Sequence, residues 1–353
     1  MKHLLRAIVL ILAAACAAAF AADGLVIGAV YVGSVNDYGY NRSFHDALTQ
    51  IEKQLPGVKL LEAENVPESG EVESVMEGLV RQGAKLVIPT SFGYYDAARK
   101  VAARHRDVAF EFAGDGDTTG NFGVFFGQTQ RAMYAMGVAA GRMTRTNKLG
   151  FVIGVPIGYS LGNVNGFQMG AHSINPKAQT IVVVTGGWSD KAKEAAAANA
   201  LLDQGCDVVS MHVDSPATII RAVEARGGMS IGFQSIEARA LAPKGWITGL
   251  GFDWKPFLTE TAKRVMAGRF HGEAVYQGLG QMVVVAPFGA AVPAEVQAAV
   301  NKAAAAVAEG FNPFSGPLKD NRGNLALPPN ATVGADQMGR LNWYVEGVIG
   351  KVH

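Results

Sequence analysis

Two asparagines, an aspartate and two tyrosines crowd into six positions, Asn36-Asp37-Tyr38-Gly39-Tyr40-Asn41. Amides and carboxylates donate and accept hydrogen bonds in fixed directions, and tyrosine rings stack on flat partners. Together they suit a planar, polar ligand. A solvated turn would also use Asn, Asp, Gly and Ser, but it has no need of Tyr38 and Tyr40. Comparable groups recur at Ser91-Phe92-Gly93-Tyr94-Tyr95, Gly186-Gly187-Trp188, His212-Val213-Asp214-Ser215, Gln234-Ser235 and Asp253-Trp254. The candidate ligand contacts are therefore Asn36, Asp37, Tyr40, Asn41, Phe92, Tyr94, Trp188, Asp214, Gln234 and Trp254. Plainer roles compete for several of them. Trp188, Trp254, Phe92 and Tyr94 could each be core residues. Asp214 precedes a helix start, where the dipole favours a carboxylate anyway. His212 is a lone histidine at a strand end, a position more often structural than catalytic.

Each of these groups follows an apolar run that reads as a strand. Leu25 to Val32 leads into the first group, and Phe44, Leu48, Ile51 and Leu55 then repeat at helical spacing. Further strands are expected at Val58–Leu61, Leu86–Ile88, Val108–Phe112 and Phe122–Phe126. Leu86-Val87-Ile88 is continuous, as in a parallel strand covered on both faces. Helices over Val72–Val80, ending at Gly83, and onward to His105 complete a doubly wound lobe. A second such lobe has strands at Leu149–Ile153, Thr180–Val184, Asp207–Met211 and Ser230–Phe233. Its helices start near Ser160, Asp190 and Ser215, the last with serine as cap and Pro216 in the first turn. A helix over Phe257–Ala267, a strand at Gln281–Val285, a helix over Pro293–Ala308, a loop over Asn312–Asn324 and a last helix over Gln337–Ile349 follow. In open α/β sheets the crevice outside the carboxyl ends of the strands binds ligand. Two lobes meeting there would hold a small flat molecule between aromatic plates.

Composition narrows the function classes. Of 353 residues, 49% are hydrophobic and 43 are glycine, which suits an α/β globule with many tight turns. A net charge of +1 argues against a nucleic-acid surface. Lys2 and Arg6, an apolar run from Ala7, and Ala19-Phe20-Ala21 read as a secretory signal peptide, residues 1–21, cleaved after Ala21. Lipoprotein processing at Cys16 is the minority alternative. With the leader removed, Cys206 is the remaining cysteine, so no internal disulfide and no zinc spacing is expected.

Enzyme signals are few. Gly158-Tyr159-Ser160-Leu161-Gly162 matches the nucleophile-elbow pattern of serine hydrolases, but Pro156-Ile157 separates it from the preceding strand and no oxyanion glycines precede it. A secreted esterase using Ser160 is the alternative class of function. Gly249-Leu250-Gly251 and Gly278-Leu279-Gly280 lack the third glycine of a dinucleotide site, and there is no Walker loop. No cofactor is expected.

The ordered stretches Gly33-Ser34-Val35-Asn36-Asp37 with Tyr40-Asn41, Leu149–Gly154, Gly166–Gly170, Asp203–Val209 and Trp343–Gly350 resemble the basic membrane protein (Bmp/Med) family of periplasmic binding proteins, which serve ABC importers of purine nucleosides. The resemblance runs from about Gly24 to His353. It implies a type I periplasmic binding fold, with two Rossmann-like lobes joined by a three-segment hinge. The lobes would be 22–126 with 254–281, and 127–253 with 282–353. It also implies a periplasmic, monomeric receptor that takes its ligand to a permease and ATPase, or to a sensory partner, without chemistry. Tyr40 would take the place of the family's stacking Phe and Asn41 that of its base-binding amide. Two departures stand out. The family's Gly-Val-Asp-Ser-Asp stretch, whose first aspartate grips the ribose hydroxyls, is Gly232-Phe233-Gln234-Ser235-Ile236 here, and a second aspartate is replaced near Ala113-Gly114. A diol wants a carboxylate acceptor. A free purine base or similar planar heterocycle is therefore expected, with Trp188 and Trp254 as stacking surface worth about 1–3 kcal/mol per contact.

Overall fold

A computed structural model describes residues 24–352. The leader and the Cys16 alternative lie outside the described residues. From the amino end, β1 (Val26–Val30) runs through the 33–39 loop into α1 (Tyr40–Gln54), then β2 (Lys59–Ala63), α2 (Glu71–Arg81) and β3 (Leu86–Pro89). Next come α3 (Tyr95–Arg104), β4 (Ala109–Ala113) and β5 (Phe122–Gly127). Apolar positions three and four apart bury one face of each of these helices: Phe44, Leu48 and Ile51 in α1, and Val72, Met76 and Leu79 in α2. Gly83, at φ +95°, stops α2, a left-handed conformation that side chains resist.

The chain continues through α4 (Thr129–Met143), β6 (Lys148–Ile153), α5 (Gly158–Ile174), β7 (Gln179–Val184), α6 (Lys191–Asp203), β8 (Val208–His212), α7 (Ala217–Ala225), β9 (Met229–Gln234) and β10 (Trp246–Phe252). It then forms α8 (Lys255–Met266), β11 (Ala274–Gln277), β12 (Val283–Val285), α9 (Ala294–Ala308), β13 (Leu318–Lys319), β14 (Leu325–Leu327) and β15 (Val348–Ile349).

Two sheets result. The first has the order β11-β5-β4-β3-β1-β2 and the second β12-β10-β9-β8-β6-β7-β15. Within both, every pairing is parallel except that of β12 with β10. Between them the chain crosses three times, after β5, after β10 and after β11. Strand order reverses between β1 and β3 in one sheet and between β6 and β8 in the other, the places where such sheets open a crevice.

Several expectations need correction. Nothing in the apolar spacing announced α4, whose Ala and Gly residues blur any stripe. It packs backbone to backbone on α5, because Gly137, Gly166 and Gly170 sit where a Cβ would strike the carbonyls of Phe167, Gln130 and Tyr134. The strand β11 was likewise not anticipated. Ser215 is not the cap of α7; its hydroxyl donates to Glu194 instead, and Pro216 opens the helix. The expected last helix over Gln337–Ile349 is a short 3-10 turn, Ala335–Arg340, followed by extended chain. Gly347 at φ +90° breaks any helix, Val345 donates its N–H to Asn165, and β15 pairs with β7. The 312–324 loop contains β13, which forms a small hairpin with β14. Among the described residues no helix is long and apolar enough to cross a membrane.

Candidate functional site

The carboxyl ends of the two sheets face each other across a cavity. One wall comes from Tyr40, Ser91, Phe92, Ala113, Gly114 and Phe126, the other from Ile157, Tyr159, Trp188, His212, Asp214 and Gln234. Every one of these residues sits at or just beyond the end of a strand or at the start of the following helix. The two walls touch directly: the Tyr40 N–H donates to the Asp214 carbonyl at 3.1 Å, and a Cβ on Gly39 would strike that same carbonyl. Around the rim Arg42 lies 3.7 Å from Glu237, and the Arg221 guanidinium sits 5.8 Å from the Tyr38 ring centre.

Five aromatic rings line the space. Phe126 and Tyr159 lie 5.3 Å apart and Tyr40 is 6.4 Å from Phe126, so three rings form a continuous apolar flank. The hydroxyl of Tyr40 is held by the Thr90 carbonyl at 2.7 Å, which fixes the ring. Trp188 lies 5.9 Å from the imidazole of His212, and its carbonyl accepts from the Asp214 N–H at 2.7 Å.

The polar floor consists of His212, Asp214 and Gln234. Thr129 donates to the amide oxygen of Asn163, whose nitrogen then lies 2.9 Å from His212 Nδ1. That nitrogen must accept, so the ring proton sits on Nε2. Burial pushes the imidazole down to about 3, so it stays neutral. Gln234 holds a left-handed backbone, φ +75°, which costs a non-glycine residue energy and recurs at functional sites. Its amide nitrogen lies 3.4 Å from Asp214 Oδ1, and its amide oxygen finds no donor among the described residues. Asp214 is pushed well above the ordinary carboxylate range, first by burial and then by the negative charge of Asp37. Among the described residues no lysine or arginine lines the cavity. Among the described residues no cluster of acids, histidines or cysteines could hold a metal ion.

A family model, described as ABC transporter substrate-binding protein PnrA-like (Bmp), matches residues 25–309. The chain belongs to the Bmp family. A purine-binding protein of Brucella abortus is 32% identical to this Bmp protein over 338 residues, which is 95% of this chain and 96% of that one. A putative ABC transporter glucose-binding protein of Haloferax volcanii is 30% identical over 71% of this chain and 63% of its own length. Among solved structures, an ABC transporter solute-binding protein from Aeropyrum pernix superposes with a TM-score of 0.71 at 19% identity, covering 84% of this chain and 93% of that one. One from Conexibacter woesei gives 0.67 at 24% identity, over 81% of this chain and 97% of the other. These two share the fold, the type I periplasmic binding architecture.

Within this Bmp protein the structure brings Tyr40, Phe92, Trp188, Asp214 and Gln234 together in the cavity wall. Asn36, Asp37, Asn41, Tyr94 and Trp254 lie elsewhere. Asp37, two residues ahead of the N-cap Gly39, closes off the start of α1: its carboxylate accepts from the backbone N–H groups of Gly39, Asn41 and Arg42 and from the Asn41 side chain. Burial still pushes its pKa upward against those four bonds. The Asn41 oxygen in turn accepts from the Gly33 N–H, so the amide is engaged at both ends. Asn36 is exposed, and Tyr94 is buried with its hydroxyl on the Val66 carbonyl. Trp254 is fully buried, stacked 4.2 Å from Phe252 and 4.7 Å from Phe44, and its indole N–H donates to Ser43. Ser160 is also buried, and its hydroxyl donates to the carbonyls of Val155 and Ile157 rather than to a histidine.

Phe126, Tyr159 and the donor role of His212 escaped the sequence reading. Tyr159 stands inside the very pattern tested as an esterase elbow. An aromatic in the turn after a strand was the available signal there, as it was for Trp188.

Proposed function

We propose that this Bmp protein captures a free purine base or a closely similar neutral heterocycle between its lobes and releases it unchanged to an ABC permease. The observation that carries the proposal is the cavity's chemistry: five aromatic rings around a floor with one lining carboxyl, that of Asp214. A flat ring gains stacking on such walls. A ribose or a sugar, with its row of hydroxyls, calls for charged carboxylate acceptors, and Gln234 and Ala113-Gly114 occupy the positions where the sequence comparison expected two of them. The purine-binding relative from Brucella abortus supports the same ligand class. On this reading the chain is exported after loss of residues 1–21, works as a monomer in the periplasm, and alternates between open and closed lobes by hinge motion at the three crossovers.

The test is mass spectrometry of the small molecule released by denaturing protein purified from cells grown in rich medium. A purine base in roughly equimolar amount is expected. A sugar, an amino acid or a nucleoside in its place refutes the proposal.

A further inference from the structure

Asp214 is the acid that lines the cavity. It is buried at the cavity floor and reaches a single side-chain partner, the Gln234 amide. Its neighbours are acids: Asp37 across the lobe junction, Glu68 behind Ser91, and Glu194 beneath Ser215. Asp37 has four N–H donors and is the better holder of negative charge; among the described residues the Asp214 carboxyl has one long hydrogen-bond contact and no cation partner. Where two acids share one low-dielectric region, the less solvated one keeps its proton. Since the Gln234 nitrogen donates to Oδ1, that oxygen is the carbonyl of the acid and the hydrogen belongs on Oδ2.

Resting on the purine reading above, we infer that Asp214 binds the ligand as the protonated acid, donating to an unprotonated ring nitrogen while an adjacent ligand N–H donates back to the carboxyl or to the free oxygen of Gln234. A ring nitrogen beside an N–H is what adenine presents at N7 or N1 next to its 6-amino group. Two N–H groups side by side, as on guanine at N1 and N2 or on any amidinium, call for an ionised carboxylate instead. His212 Nε2–H supplies a further donor and so asks for a second bare acceptor on the ring, which adenine has. The floor therefore accepts a purine edge in which a bare ring nitrogen stands beside an N–H, and it rejects the N1–N2 edge of guanine, which leaves donor facing donor.

Asp214→Asn separates the two protonation states. A carboxamide reproduces the donor and acceptor of the neutral acid but not the double acceptor of a carboxylate. With the full-length mature protein, calorimetric titration should show adenine bound at one site per chain. It should also show Asp214→Asn within about tenfold of wild type for adenine, and Asp214→Leu weakened far more. Infrared difference spectra of the adenine complex should contain a protonated-carboxyl carbonyl band that Asp214→Asn removes. A correctly melting Asp214→Asn protein that loses adenine a hundredfold or more, or a carboxylate band in place of the carbonyl band, overturns the inference while leaving a purine ligand intact. If wild type binds no purine at all, it is the ligand reading that fails.

Discussion

Trp188 and Trp254 look alike in sequence, each a tryptophan just past a predicted strand, yet the structure gives them different work, and replacing each with alanine should separate the two. Trp188 is partly exposed and faces the cavity, and its backbone carbonyl keeps the Asp214 N–H whatever the side chain. Trp188→Ala therefore removes a stacking face and little else. At about 1–3 kcal/mol per base–aromatic contact, adenine affinity should fall about 5- to 150-fold. The melting temperature of the unliganded protein should barely move. Trp254→Ala empties a sandwich between Phe252 and Phe44 and leaves the Ser43 hydroxyl without its indole partner. A loss of about 3–5 kcal/mol in stability is expected from the cavity term. Because Trp254 sits at the crossover between β10 and α8, the hinge should loosen too. The assay pairs calorimetry with thermal melts on both variants. Trp188→Ala that binds within twofold of wild type, or that melts as low as Trp254→Ala, would refute the assignment of the two rings.

Three further outcomes follow from other residues. Glu111, buried on β4 over Gly123, is pushed from 4.5 to about 8, chiefly by burial. Between those values the unfolded chain gives up a proton that the folded chain keeps, so stability should fall as pH rises from 4.5 toward 8 and level off above it. Glu111→Gln should flatten that slope, adding up to a few kcal/mol at pH 8, read from urea unfolding across the range. Asp37→Ala should cost about 1–2 kcal/mol by uncapping α1, seen as a lower melting temperature in the unliganded protein; an unchanged melting temperature would show that water replaces the cap without loss. A fluorophosphonate probe should leave the protein unlabelled, since the Ser160 hydroxyl is engaged by two backbone carbonyls. Stoichiometric labelling abolished by Ser160→Ala would instead favour the esterase alternative.

Much of the fold was readable because its strands are covered on both faces. Leu86-Val87-Ile88 and Leu149–Ile153 are unbroken apolar runs, and a parallel sheet is the arrangement that buries both sides of such runs. The loops that line the cavity were readable for a related reason, since aromatic residues such as Trp188 have no place in an ordinary turn. Errors arose where one chemistry serves two purposes. Asp37 and Asn41 carry the donors and acceptors a ligand would want, but a helix start wants them equally, and α1 takes them. Trp254 follows a strand end as Trp188 does, yet the residue before it, Asp253, continues the backbone pairing by donating to Met282, and the indole turns into the core. Helix α4 hides because its contacts with α5 are made by glycine backbones, which carry no hydropathy signal. His212 was readable as a residue but not as a donor: its proton position depends on Asn163 and Thr129, 49 and 83 residues away in the chain. The tail was misread because Trp343 and Tyr344 suggest a helix face, whereas Gly347 and the open edge of β7 decide for a strand.

The most direct measurement is a side-by-side calorimetric titration of the mature protein with adenine and adenosine, followed by chromatographic recovery of each ligand. Adenine should bind at one site per chain, more tightly than its nucleoside, and come back chemically intact. Tighter binding of adenosine, or recovery of an altered product, would contradict the account.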